Sequence, residues 1–151
     1  MLEHILVPLD GSERSERALT YAIEISAEDT QITLLYVVYI PVTPFPISPA
    51  PPALPQETKD YERYRLQYAE KAERYLQRVK STMVEQHAAV QTKLLIGKDP
   101  AEAIVEFSET QAVDAIVMAT RGHSGIMRWF MGSTTQKVLQ AVDCPVLIVP
   151  T

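Results

Sequence analysis

The chain alternates short apolar runs with stretches in which apolar residues return every three or four positions. Residues 4–9 (His-Ile-Leu-Val-Pro-Leu) form the first run and end at Asp10-Gly11-Ser12. A short run closed by a turn signal predicts a buried strand. Pro8 lacks an N–H, so it belongs near the strand's end or where pairing has stopped. Ser12 suits a helix N-cap, and Glu13 and Glu16 occupy the first turn, where acids favour the helix dipole. Leu19, Ala22, Ile23 and Ser26 follow at helical spacing. Residues 32–38 predict the second strand.

The pattern then changes. Seven of the 11 prolines fall between Pro41 and Pro55. Such a segment forms neither a helix nor a central strand and reads as an extended surface excursion or a docking motif. Residues 57–87 predict a long helix, with Tyr61, Tyr64, Tyr68, Ala72, Tyr75, Leu76, Val79 and Met83 on one stripe. Two readings of the tyrosines stand: an aromatic binding surface, or rings buried at a helix–sheet boundary with their hydroxyls wet, the reading preferred here. Glu70 and Arg74 have the spacing of a surface ion pair. Residues 89–96 predict the third strand, stopped by Gly97. Asp99-Pro100-Ala101-Glu102 carries cap, first-turn proline and capping-box acid, so a helix starts there. Its inward face is read as Ala101, Ile104, Val105, Ser108 and Ala112. Residues 115–119 predict a fourth strand. Ser133 and Gln136 have capping-box spacing and predict a helix over 133–142, with Val138, Leu139 and Val142 inward. Residues 145–149 predict the last strand.

Strands alternating with helices predict an α/β domain spanning 1–151, with a parallel sheet covered on both faces. Ligands of such sheets bind at the carboxyl ends of strands, where the winding direction reverses. The two loops with the most promising chemistry lie at such ends: Asp10-Gly11-Ser12 after the first strand, and the stretch from Ala119 to Ser133 after the fourth.

A length of 151 residues fits one domain, and 46% hydrophobic with 22% charged residues is ordinary for a soluble protein. A net charge of −5 argues against general nucleic-acid binding. Cys144 is the one cysteine, which excludes an intrachain disulfide and a cysteine metal cluster; it reads as a buried, inert thiol. With no signal-peptide pattern and no apolar run near the ~20 residues of a membrane span, the expectation is a cytoplasmic protein with no membrane partner.

The chemistry concentrates between Met118 and Gln136. A helix N-terminus presents free N–H groups and a partial positive charge, which suits a phosphate. Gly132, Ser133 and Thr134 would supply backbone donors and two hydroxyls, and Gly122 would let the other limb of the loop approach. Other chemistries fail on spacing. Gly122-His123-Ser124-Gly125 is no nucleophile elbow, because Ile126 stands where a glycine is needed. Asp10-Gly11-Ser12 lacks the glycines of a dinucleotide fingerprint, and Gly132-Ser133 lacks a P-loop lysine. His4, read as a strand-edge residue, His87 and His123 have no metal-type spacing. Asp10 has three readings: a phospho-acceptor, a cap over the Gly11–Ser12 turn, and an acceptor for a ligand's hydroxyls or amine. The last two are favoured together.

These residues resemble the universal stress protein family along the whole chain. The resemblance rests on Ile5-Leu6-Val7-Pro8-Leu9-Asp10-Gly11-Ser12, on Leu34-Leu35-Tyr36-Val37-Val38, on Asp114-Ala115-Ile116-Val117-Met118 and on Cys144-Pro145-Val146-Leu147-Ile148-Val149-Pro150. Its most specific part is the nucleotide signature of the ATP-binding subgroup: glycine, two residues, glycine, nine residues, glycine, then serine or threonine. Gly122, Gly132 and Ser133 match, and Ala119 replaces the first glycine. If that position needs only close approach, alanine is tolerated; if it needs positive φ, binding weakens.

The resemblance implies a Rossmann-like, five-stranded parallel sheet of order 3-2-1-4-5 with helices on both faces. It implies a homodimer through strand 145–149, which an unpaired apolar edge would explain. It also implies a cofactor, ATP or another adenine nucleotide (ADP or AMP), with Mg2+ as a companion of the phosphates. By position, Asp10 lies near adenine or ribose beside Gly11 and Ser12, Val37 offers backbone contacts to adenine, and Met118, Ala119, Arg121 and Gly122 line the ribose–phosphate path. Gly132, Ser133 and Thr134 hold phosphates, with Arg121, Arg128 and Lys137 as possible counter-charges. The leading expectation is a nucleotide-binding regulatory protein of stress response, with at most slow hydrolysis. A nucleotide-free interaction module and an enzyme using Asp10 are the rivals.

Overall fold

The computed structural model describes residues 1–39, 54–87, 89–120 and 131–151. The elements run β1 (His4–Leu9), α1 (Glu13–Ile25), β2 (Gln31–Val38), α2 (Leu54–Met83), β3 (Val90–Ile96), α3 (Pro100–Thr110), β4 (Ala115–Thr120), α4 (Ser133–Ala141) and β5 (Val146–Pro150). Among the described residues they form one five-stranded sheet of order β3-β2-β1-β4-β5, with every neighbouring pair parallel. The predicted strand order is therefore observed. Most of the Pro-rich segment lies outside the described residues, as do Arg121, Gly122, His123 and Arg128. No helix among those described is long and apolar enough to cross a membrane.

Alternate residues of the central strands feed two cores, as the period of two dictates. Ile5, Val7, Ile32, Leu34 and Val117 pack with Ala18 and Ala22 of α1 and Leu76, Val79 and Met83 of α2. Leu6, Leu35, Ile116 and Met118 pack on the other face with Ala101 and Ile104 of α3 and Val138 of α4. Burial on both faces is why these strands read as unbroken apolar runs. Edge strand β3 differs: Gln91 and Lys93 point outward and are exposed, because α3 does not reach over them.

Several expectations shift. Helix α2 starts at Leu54, so it takes Pro55 into its first turn, where a missing N–H costs nothing; it ends at Met83, before His87. Its 30 residues span about 45 Å, whereas a seven-residue strand such as β3 spans about 23 Å. The helix overruns the sheet. Ala72, Leu76, Val79 and Met83 are buried, but Tyr61, Tyr64 and Tyr68 are 37%, 57% and 53% exposed. The tyrosine rings at those three positions are not buried at a helix–sheet boundary; Tyr75 alone of the four packs against the core. The Glu70–Arg74 pair is absent among the ion pairs of the described residues, where Arg78 instead meets Glu16 of α1 at 2.9 Å. Ala112 lies beyond α3 with φ 47°, turning the chain rather than facing inward. In α4, Thr135 is buried and Leu139 is 37% exposed. His4 is the first residue of the central strand β1, its Nε2 2.8 Å from Thr33 Oγ1. His87 is buried with Nε2 2.6 Å from the Thr30 carbonyl.

Candidate functional site: a cleft between two diverging strands

The winding direction reverses between β1 and β4, and there the sheet opens. Strand β1 stays in register with β2 from His4 through Leu9. With β4 it pairs only at Ile5 and Leu6. Pro8 therefore occupies a position where pairing on the β4 side has ended, as its missing N–H requires. Beyond Leu6 the two strands diverge, leaving a cleft of about 310 Å³ lined by Pro8, Leu9, Met118 and Ala119 at its floor. Ligand pockets begin at roughly this size.

One rim is the turn after β1. Asp10 Oδ1 accepts from the Ser12 N–H at 2.9 Å and from the Ser12 hydroxyl at 2.5 Å. Ser12 Oγ in turn accepts from the Ser15 N–H at 3.1 Å and caps α1 as expected. Burial pushes the Asp10 carboxyl upward, but the Ser12 and Ser15 hydrogen bonds outweigh it and hold the pKa below 3.8. Asp10 is thus an anion at neutral pH. Among the described residues its Oδ2 has no hydrogen-bond partner and remains an acceptor at the cleft. Gly11 has φ 85°, and a Cβ there would stand 3.3 Å from Tyr36 Oη. Both the backbone and the close approach require glycine. Tyr36 Oη donates to the Asp10 carbonyl at 3.2 Å and braces the turn from β2.

The opposite rim is the start of α4. The N-cap is Gly132, and among the described residues no side chain caps the helix. The predicted capping box is therefore not formed: Ser133 is the first helical residue, and the Gly132 carbonyl accepts the first helical bond, from Gln136 N–H at 3.0 Å. The first-turn N–H groups of α4 keep no intrahelical acceptor and border the cleft with Gly132, Ser133, Thr134 and Thr135. A Cβ built on Gly132 meets no atom of the described residues within 4 Å.

Of the residues singled out from sequence, Asp10, Ser12, Val37, Met118, Ala119, Gly132, Ser133 and Thr134 line this one cleft. Gly11 shapes the turn without lining it. Arg121, Gly122 and Arg128 lie outside the described residues. Lys137 points elsewhere: its Nζ is 3.6 Å from Asp99 Oδ2, joining α4 to the start of α3. Ala119 lies within β4, in register with Val149, and Ala112 is the only described non-glycine residue with positive φ. The alanine in place of the signature's first glycine is thus under no conformational strain. Sequence reasoning missed Arg14, Ser15, Leu35, Pro100 and Ile104, which also line the cleft. Arg14 and Ser15 follow directly on the Asp-Gly-Ser turn, which was the available signal.

Among the described residues no three His, Cys, Asp or Glu side chains stand together to hold a metal ion. Cys144 is partly buried, and that burial, aided by Asp114 and Asp143, pushes its thiol up, away from the reactive thiolate. A larger hollow of about 420 Å³ lies beside α3, over the uncovered face of β3. It is a polar trough in which His4 bonds with Thr33 and Gln111 and Lys98 pairs with Glu106. It runs along edge strand β3 and not at the β1–β4 crossover, where the winding direction reverses and this fold places ligands.

The sequence profile of the universal stress protein family matches residues 1–150. Universal stress protein MJ0531 of Methanocaldococcus jannaschii is 35% identical over 150 residues, covering 99% of this chain and 82% of that protein. The solved structure of protein MJ0577 superposes with a TM-score of 0.75 at 25% identity, covering 100% of this chain and 97% of the other. A universal stress protein family protein of Arabidopsis thaliana, solved with AMP bound, superposes at a TM-score of 0.64 and 18% identity, covering 97% and 90%; at that identity it speaks to the fold alone. With its strand order, its signature residues and this match over nearly its whole length, the chain belongs to the universal stress protein family.

Proposed function

We propose that this protein is a regulatory adenine-nucleotide-binding protein of stress response, holding ATP, or ADP or AMP, in the cleft between β1 and β4. The observation that carries the reading is the meeting of two unlike rims across one gap: an ionised, turn-fixed Asp10 and an uncapped helix N-terminus. A nucleotide has the matching ends. Its base or ribose offers N–H and O–H donors to the free Asp10 oxygen, and its phosphates suit the α4 amides and the Ser133 and Thr134 hydroxyls. Apolar Val37 and Met118 flank a planar base, with backbone atoms of Val37 reading its edge. Ala119, Arg121 and Gly122 are assigned the ribose–phosphate path. A magnesium ion would be held mainly by phosphate oxygens and water, its usual arrangement. Binding would bias an interaction of the protein; the reading assigns no hydrolytic step. As a homodimer, two copies would join along edge strand β5.

The rival, a nucleotide-free interaction module, takes its support from Ala119. The relaxed strand conformation of Ala119 weighs for the nucleotide reading, since the position is occupied without positive φ. The test is direct. Purified protein is denatured and the released small molecules are chromatographed; separately, ATP and AMP are titrated calorimetrically. Released adenine nucleotide, or saturable heat, is expected. No nucleotide and no heat up to about 1 mM ligand, an affinity too weak to matter, overturns the proposal.

A further inference from the structure

The phosphate count of the ligand is open, and the charges around the cleft bear on it. Asp10 contributes a negative charge. Lys137 is engaged by Asp99. Arg14, the second residue of α1, is the one cationic side chain among the described residues that line the cleft. Its place is unfavourable for the helix: a cation in the first turn opposes the positive end of the dipole. Arg14 forms no ion pair among the described residues, and Glu16 of the same first turn pairs instead with Arg78 at 2.9 Å. A residue that breaks a local rule without a structural partner, at a ligand cleft, points to the ligand.

The two helix ends also differ. At α1 the cap is filled: Ser12 Oγ takes the Ser15 N–H, and Asp10 takes the Ser12 N–H. At α4 no side chain among the described residues caps the helix. A first phosphate is therefore assigned to α4, and a chain of phosphates running from it across the cleft reaches a rim whose helix cap is already filled by Ser12. Arg14 stands on that rim, and its guanidinium fork matches a phosphate's oxygens.

We propose that Arg14 receives the distal phosphate of the bound nucleotide and so makes the site select nucleoside di- and triphosphates over the monophosphate. This rests on the adenine-nucleotide reading above. The experiment titrates ATP, ADP and AMP into the wild-type protein, Arg14→Gln and Arg14→Lys, with inorganic tripolyphosphate as a base-free competitor. Wild type is expected to favour ATP over AMP by about tenfold or more, one charge-assisted contact. Arg14→Gln should lose about tenfold for ATP and for tripolyphosphate and stay within about twofold for AMP, with Arg14→Lys between. Its melting temperature should not fall, because a cation leaves a helix N-terminus; a drop would mark a structural role and overturn the proposal. An unchanged ATP-to-AMP ratio in Arg14→Gln, or a wild type indifferent to phosphate count, overturns the role of Arg14 alone. A wild type that binds none of the three overturns the nucleotide reading and this proposal with it.

Discussion

Replacing Gly132 by aspartate should move stability and binding in opposite directions. Gly132 caps α4 with φ −57° and ψ 148° and no side-chain hydrogen bond. Any L-residue adopts that conformation, and no atom of the described residues stands where a Cβ would go. Aspartate is among the best N-cap residues, better than glycine by a few tenths of a kcal/mol, because its carboxylate accepts from the first-turn amides. The folded state should therefore hold or gain slightly. The same carboxylate occupies the donors a phosphate needs and places a like charge beside it. At ~4 Å one pair of unit charges repels by ~1 kcal/mol in water and ~4 kcal/mol at the effective dielectric of a protein surface. Each 1.4 kcal/mol is about a tenfold change in affinity, so ATP affinity should fall by at least tenfold. Calorimetric titration reads the binding, and urea denaturation reads the stability. Gly132→Ala is the control for bulk and should bind within a few-fold of wild type. If Gly132→Asp folds normally and binds ATP as wild type does, the phosphates are not at α4. If Gly132→Ala loses binding equally, crowding rather than charge governs the site.

Gly11→Ala forces alanine to φ 85° against Tyr36 and should cost about 1–2 kcal/mol in urea denaturation; a neutral result would mean that the turn rearranges freely. In α2, Leu76→Ala, at a fully buried position, should cost ~2–5 kcal/mol, whereas Tyr64→Ala, 57% exposed, should stay within ~0.5 kcal/mol. Asp99 Oδ1 accepts from Ala101 N–H and Glu102 N–H, so Asp99→Ala should cost ~1 kcal/mol by the loss of a helix cap, with little added from the exposed Lys137 contact. Asp114 Oδ2 accepts from the Glu3 and His4 N–H groups, which lower its pKa below 3.8; the carboxylate's contribution is then complete above pH ~3.8 and lost as pH falls through the lower folded value, and Asp114→Asn should flatten that acid limb of a melting-temperature profile. If two copies join along β5, Leu147→Glu puts like charges opposite each other at the joint and should yield monomers by light scattering.

What the chain discloses about itself follows from the range of each interaction. The caps at Ser12 and Asp99 were legible because a side chain bonding to an amide two or three residues away is a local event. The false cap at Ser133 has the same spacing, but Gly132 had already taken the cap position, and a residue without a side chain gives no capping signal. The stripe of α2 is legible as a face, since periodicity fixes which side is apolar; it says nothing of how far that side is covered, so Tyr61, Tyr64 and Tyr68 share the stripe although its full burial begins only at Ala72. In β3 the opposite holds: the alternation of Gln91 and Lys93 with apolar residues was a visible mark of a strand covered on one side only. The cleft is the least local feature of all. Its walls come from β1, β2, α1, the start of α3, β4 and α4, and it opens because β1 pairs with β4 at only two positions. Motif positions such as Asp10 and Gly132 carry across a family resemblance. Arg14 does not, because nothing in a motif tells which neighbouring side chain the diverging strands leave facing the gap. Selectivity within a shared site is therefore most readily set by residues beside the signature, where the helices that frame the cleft can change charge without changing the fold.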